Sequence, residues 1–185
     1  MSIISSTQLE IPVEDPVFPY ENIISYIPFE EDLNLVSNSD LLAYFPFDSN
    51  SQDISGNGYT GVVTGATQAA GYVNNGYLFY GSSDINYGNI LPLIGGGSIS
   101  FWVNAGDYGT IIEKGSYKIT LENDGIHLFI NTIEVAVSTP LRLNYWTFVC
   151  ITFDNSSKKI YINGKLSVNV SNNTLPNANT NDFII

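Results

Sequence analysis

From residue 41 onward, short apolar runs alternate with turn residues, at 41–47, 59–64, 76–80, 85–90, 98–104, 109–113, 116–121, 126–130, 133–137, 145–153, 159–162 and 166–170. Runs this short, with no sustained 3.6-residue period, predict antiparallel strands and exclude βαβ units. In Ser98-Ile99-Ser100-Phe101-Trp102-Val103-Asn104, Ile99, Phe101 and Val103 fall on one face and Trp102 on the other. Tyr145 to Phe153 is apolar on both faces, which predicts a central strand covered on both sides. Asn163-Gly164, between Lys158–Ile162 and Lys165–Val168, predicts a type I′ hairpin, because both central residues of that turn need positive φ. Asn123-Asp124-Gly125 predicts a second, slightly longer connection.

The first 38 residues break this pattern. Pro12, Pro16, Pro19 and Pro28 block sheet interiors, and Glu30-Glu31-Asp32 interrupts the apolar residues around them. Residues 1–38 are therefore expected to form an extended attachment arm, and 39–185 a β-sandwich domain. Ile23, Ile24, Tyr26, Ile27 and Phe29 make the arm apolar enough to dock. Tyr26-Ile27-Pro28-Phe29-Glu30 also echoes Tyr44-Phe45-Pro46-Phe47-Asp48, either by chance or as a duplicated strand start.

Charge narrows the range of partners. The chain has 185 residues and a net charge of −12, and all six Lys and Arg lie at Lys114 or later. Such a field repels phosphate backbones, so neither nucleic acid nor an anionic membrane is expected as a partner. No apolar run approaches a membrane span, and Met1 to Asp15 lacks the basic and apolar regions of a secretory signal. With one cysteine, Cys150, no internal disulfide forms; Cys150 lies in an apolar run and reads as core. Neither Cys150 nor the single histidine, His127, stands in a motif that would make them a nucleophile and base.

Five segments fall in a suggestive order: Tyr44-Phe45-Pro46-Phe47-Asp48, Asp53-Ile54-Ser55-Gly56-Asn57-Gly58, Ile99-Ser100-Phe101-Trp102-Val103, Tyr145-Trp146-Thr147-Phe148-Val149 and Ile160-Tyr161-Ile162-Asn163-Gly164-Lys165-Leu166. Their succession over residues 40–185 resembles the laminin-G-like domains of the concanavalin A-like lectin and glucanase superfamily. The resemblance implies an all-β, antiparallel jelly-roll sandwich of the kind used to bind glycans or proteins. Two departures stand out. Such domains usually close with a further Gly- and acid-bearing strand, whereas this sequence stops at Asp182-Phe183-Ile184-Ile185. The sandwich is thus expected to be truncated or to be completed by the apolar residues 23–29. The glucanase branch carries alternating acids on one strand; here Glu113, Glu122, Asp124 and Glu134 are scattered and read as solvated turn or edge charges.

These observations lead to a non-catalytic recognition or adhesion module. The expected setting is a phage virion (tail fibre, head fibre or capsid decoration), made in the host cytoplasm, homo-oligomeric, and joined to other virion subunits through residues 1–38. Its partner would be a cell-surface glycan or protein. A purely structural subunit and a glycoside hydrolase or lyase are the alternatives, and a cell-surface location is the alternative setting. Tyr72, Tyr77, Tyr87, Tyr108 and Tyr117 lie in or beside predicted loops, and Tyr108, Tyr72 and Tyr117 are the candidate ligand-binding rings. Asp53, Asn57 and Asp84, with Ser55, are oxygen-bearing loop residues suited to calcium. Against this, Asp53 and Asn57 equally suit Asx turns, which is the favoured reading.

Overall fold

A computed structural model describes residues 41–185; the expected arm over residues 1–38, with its echo at 26–30, lies outside them. Twelve strands occur among the described residues: β1 (Val62–Thr64), β2 (Thr67–Ala70), β3 (Asn75–Leu78), β4 (Asp84–Asn86), β5 (Gly97–Val103), β6 (Gly109–Glu113), β7 (Tyr117–Glu122), β8 (Gly125–Ile130), β9 (Ile133–Val137), β10 (Thr147–Phe153), β11 (Ser157–Ile162) and β12 (Lys165–Ser171). Every strand pairing is antiparallel. One sheet runs β12-β11-β10-β5 and another β6-β7-β8-β9, while β1-β4 and β2-β3 form two-stranded pairs. This is the all-β sandwich that the resemblance implied.

Alternation assigns the faces. In β7, Tyr117, Ile119 and Leu121 are buried in the core, and in β8 Ile126, Leu128 and Ile130 are. The residues between them, Lys118, Thr120 and Glu122 on β7 and His127 and Phe129 on β8, take the opposite face. From the other sheet, Val149, Ile151 and Phe153 of β10 and Ile160 of β11 complete the core, with Ile99, Phe101 and Val103 of β5 against them. Each such side chain stabilises the fold by roughly 1.5–3 kcal/mol through burial. β10 is central in its sheet, as expected, but only its core-facing residues are fully buried; Phe148, Cys150 and Thr152 on the outer face are half-buried. The expected cover on both sides is therefore corrected to one side and part of the other.

Residues 183–185 join two strands of the fold. Ile85 and Tyr87 donate their amides to Ile185 and Phe183 carbonyls, both at 2.9 Å, and Glu113 donates to Ile184 at 2.9 Å. Ile184 thus bridges Asn86 on one side and Glu113 on the other, joining β4 to β6. Residues 183–185 thus form a strand-like segment between β4 and β6, while the expected completion by residues 23–29 lies outside the described residues. The side chain of Phe183 is buried beside Tyr87 and Phe45.

Residues 43–47 differ from expectation. They form no ladder, because Pro46 lacks an amide donor and Phe47 sits at φ 63°. Phe45 instead packs on Tyr87, with centroids 4.1 Å apart, so the run serves the core as a docked segment. The Asn163-Gly164 hairpin is as expected, with φ 49° and 76°. The Asn163 carboxamide also accepts the Phe148 amide at 2.9 Å, tying the turn to β10.

Candidate functional site

Where the start of β6 meets the end of β7, Tyr108, Gly109, Thr110, Thr120, Leu121, Glu122 and Asn123 line a shallow cleft of about 600 Å³. Tyr108, one of the three candidate rings, is half-exposed and forms one wall. Its amide donates to Asp107 Oδ1 at 2.8 Å, which fixes the loop entering β6. Gly109 opens the floor, since nothing lies within 4 Å of where a Cβ would stand. The cleft thus combines an aromatic face with hydroxyl, carboxylate and carboxamide groups, the mixture that suits a small polyhydroxylated ligand.

One residue further along the same face, the carboxylates expected to be scattered are gathered. The β7–β8 register places Thr120 opposite His127, and Thr120 Oγ1 donates to Glu122 Oε1 at 3.0 Å. His127 is buried, with Nε2 2.7 Å from Asp124 Oδ1 in the β7–β8 turn and Nδ1 2.6 Å from Glu134 Oε2 on β9. Only the imidazolium has an N–H for each carboxylate, because a neutral ring would set one lone pair against an oxygen. Burial alone would lower the His127 pKa, but the bonds it donates to Glu134 and Asp124, with the charges of Glu122 and Asp124, outweigh it and raise it. The bond to His127 in turn holds Asp124 below the usual carboxylate range. Among the described residues, Glu122, Asp124 and His127 bring oxygen and nitrogen atoms within 4.8 Å of one another. Both imidazole nitrogens already face carboxylates, so the cluster is held together by a proton.

This corrects the reading of Asp124 and Glu134 as solitary solvated charges; each clamps one side of a histidine. The signal for half of it was present in sequence, since Asp124 in the Asn123-Asp124-Gly125 turn precedes His127 by only three residues. Glu134 was hidden because its position depends on a register shift between Leu128 and Phe129.

The other candidate residues fall elsewhere. Tyr117 is a core residue, 1% exposed, whose hydroxyl donates to the Leu91 carbonyl at 2.9 Å. Its candidacy as a ligand-binding ring is therefore corrected: Gly115-Ser116 reads as a loop, but β7 begins at once behind it and turns the ring inward. Tyr87 is likewise buried, donating to the Ser51 carbonyl at 2.8 Å, and burial raises the pKa of both phenols. Tyr77 packs edge-on against Phe47. Tyr72 lies in the β2–β3 turn and stacks on Trp102 of β5 at 3.6 Å and 15°, with Trp146 and Phe148 alongside. It therefore belongs to a second aromatic cluster, on the sheet that does not carry Tyr108. Cys150 and His127 stand on different sheets, and burial pushes the thiol pKa up, so no dyad forms.

The calcium candidates are dispersed in their roles. The Asp53 carboxylate accepts the amides of Tyr44 (2.7 Å) and Ser55 (2.9 Å) and the Ser55 hydroxyl (2.7 Å). Burial would raise its pKa, but these bonds hold it low. Asn57 donates to Ser55 Oγ from both backbone and side chain. Both thus act as turn formers, the reading favoured from sequence. Asp84 is in β4, opposite Thr64, at a separate shallow cleft lined by Thr60, Val62 and Asn86. The two buried lysines reach carbonyls: Lys158 Nζ to Asp154 (2.6 Å) and Asn172 (2.8 Å), and Lys114 Nζ to Asn181 and to Asn89 Oδ1.

Solved structures share this fold. Domain 4 of the GH43 extracellular arabinanase AbnA from Geobacillus stearothermophilus, solved with arabinotriose, matches at a TM-score of 0.64 and 20% identity, over 78% of this chain and 82% of that one. The binding domain of botulinum neurotoxin DC, solved with rat synaptotagmin II, matches at 0.60 and 20%, over 80% of this chain and 44% of that one. A botulinum neurotoxin type C structure, described by cell entry dependent on two ganglioside molecules, matches at 0.55 and 18%, over 80% and 48%. The chain spans less than half of either toxin chain, and at these identities the likeness is one of fold. No curated protein matches the sequence. The family model laminin G 3, of the concanavalin A-like lectin/glucanases superfamily, matches residues 80–185, from just before β4 through the closing segment. With more than half of its length so matched, the chain belongs to the concanavalin A-like lectin/glucanases superfamily.

Proposed function

We propose that this chain is a recognition module without catalytic activity that binds a cell-surface glycan in the cleft beside Tyr108. The observation that carries the reading is the cleft itself: one exposed ring beside Thr110, Thr120, Glu122 and Asn123, on the face of a sheet that a rigid sandwich supports. An aromatic face packs on the C–H face of a sugar while the polar groups read its hydroxyls. Against hydrolysis, a glycosidase acid needs its carboxyl kept protonated by its surroundings. Asp124 is exposed, and its pKa is shifted the opposite way.

Glycan-array binding, followed by calorimetry on the Tyr108→Ala variant, tests the reading. Binding of at least one glycan that weakens about tenfold or more in the variant, roughly the worth of one aromatic contact, is the expected result. An array with no ligand would sink it.

A second reading, recognition of a protein, is favoured by the other aromatic cluster, where Tyr72 stays 42% exposed over Trp102. Substituting Tyr72 and leaving glycan binding intact would separate the two surfaces. The proposed setting in a phage virion, with residues 1–38 as the arm to other subunits and with a homo-oligomeric assembly, rests on the sequence expectation. Capsid or tail genes beside the coding sequence, and sedimentation of the purified chain, test those two points.

A further inference from the structure

We infer that the Tyr108 cleft takes a neutral glycan and turns away sialylated, sulfated and uronic-acid-bearing ones. The inference rests on the proposed glycan reading and concerns which chemistry the site admits.

Glu122 is a wall of the cleft, and Asp124 lies within 4.8 Å of it. Glu134 flanks the far side of His127, and Asp107 sits immediately before Tyr108 with an oxygen on its amide. All four acids are exposed. The proton-bearing His127 offsets one of them from beneath, being only 4% exposed.

Among the described residues, no lysine or arginine forms an ion pair with this group. Lys114 and Lys158 are fully buried and spent on carbonyls. Arg142 lies over the Tyr145 ring at 3.6 Å, and Lys159 and Lys165 belong to β11 and β12 of the other sheet. Lys118 alone stands on this face of the strand pair, and its ammonium leans over Phe129 at 5.2 Å. An anionic sugar entering beside Tyr108 therefore meets the Glu122 carboxylate in the cleft wall with Asp124 close behind it, a repulsion that salt screens. A neutral sugar meets the same oxygens as acceptors for its hydroxyls, with Asn123 and Thr110 as partners.

Matched pairs test this: lactosamine with its sialylated and sulfated forms, and xylo-oligosaccharides with and without glucuronic acid branches, at roughly 20 mM and 500 mM salt. The expected result is that the neutral member of any bound pair is held about tenfold or more tighter at low salt, a ratio worth about 1.4 kcal/mol. That ratio should shrink at high salt and in the double variant Asp107→Asn/Glu134→Gln. Equal or tighter binding of an anionic member at low salt, abolished by Tyr108→Ala, would overturn the neutral preference while leaving the cleft in place. Binding that Tyr108→Ala leaves untouched would instead move the site away from this cleft. Failure of every member to bind would remove both.

Discussion

Replacing Lys114 with Met should loosen the sandwich at one place. The ammonium is fully buried and donates to Asn89 Oδ1 at 2.7 Å and to the Asn181 carbonyl. Burial lowers its pKa, with the Asp182 charge acting against that. A charge-assisted hydrogen bond contributes about 1.5–3 kcal/mol, against which stands the cost of desolvating the ammonium. Methionine fills most of the space but donates nothing, so the charge-assisted bonds to Asn89 and Asn181, both exposed residues, are lost together. The expected loss is about 3 kcal/mol, read as a lower urea midpoint at unchanged slope. The loss should also be local. Asn181 leads directly into residues 183–185, so the amides of Ile85, Tyr87 and Glu113, which bond to that segment, should exchange faster, while β10 amides fall only to the new global limit. A loss below about 0.5 kcal/mol, the size of a surface substitution, or exchange at those three amides that still tracks global unfolding, would refute the argument.

The His127 clamp makes stability depend on pH with a definite sign. Its pKa is raised in the fold, so its contribution is fully present below the unfolded value of about 6.5 and is lost as pH rises through the folded value. The thermal advantage of wild type over His127→Gln should therefore be largest in acid and shrink above neutrality; a difference flat from about pH 5 to 9 would contradict the clamp. Asn163→Ala should cost about 1–3 kcal/mol, combining strain at φ 49° with loss of the Phe148 contact, and denaturant unfolding measures it. Calcium at about millimolar levels should leave the melting temperature unchanged, because the Asp53 carboxylate is already engaged by three donors. A rise of several degrees would restore the calcium reading. Asp154, held down to about 2 by Ser156 and Ser157, should stay ionised in carbon-detected NMR titration through pH 4.

What could be read from sequence followed from chemistry confined to a few residues. Asn163-Gly164 specifies its own turn, and the alternation in β5 specifies its core face, since φ preference and pleat are local properties. β2 was not legible because Thr67-Gln68-Ala69-Ala70 carries no apolar alternation and exists by pairing with β3. Residues 183–185 were not legible as a closing strand because their partners are set by tertiary register. Half of the candidate site was visible: Tyr108 reads from sequence as a loop ring, and its Asp107 contact holds it at a cleft edge. The clamp around His127 was invisible because three elements and a bulge bring its acids together.

The position of the closing segment also bears on how the chain acquires its fold. Ile185 pairs with Ile85, one hundred residues earlier, while most other pairings join neighbouring strands. During synthesis the hairpins β6 to β9 and β10 to β12 can assemble early, but β4 and β6 are left with facing, unsatisfied edges until residues 183–185 emerge. Bare edges recruit other strands, so the nascent domain passes through a stage at which intermolecular pairing competes with closure. Folding should be slow for the size of the domain, with yield falling as concentration rises, and a peptide carrying residues 179–185 should rescue a chain that lacks them.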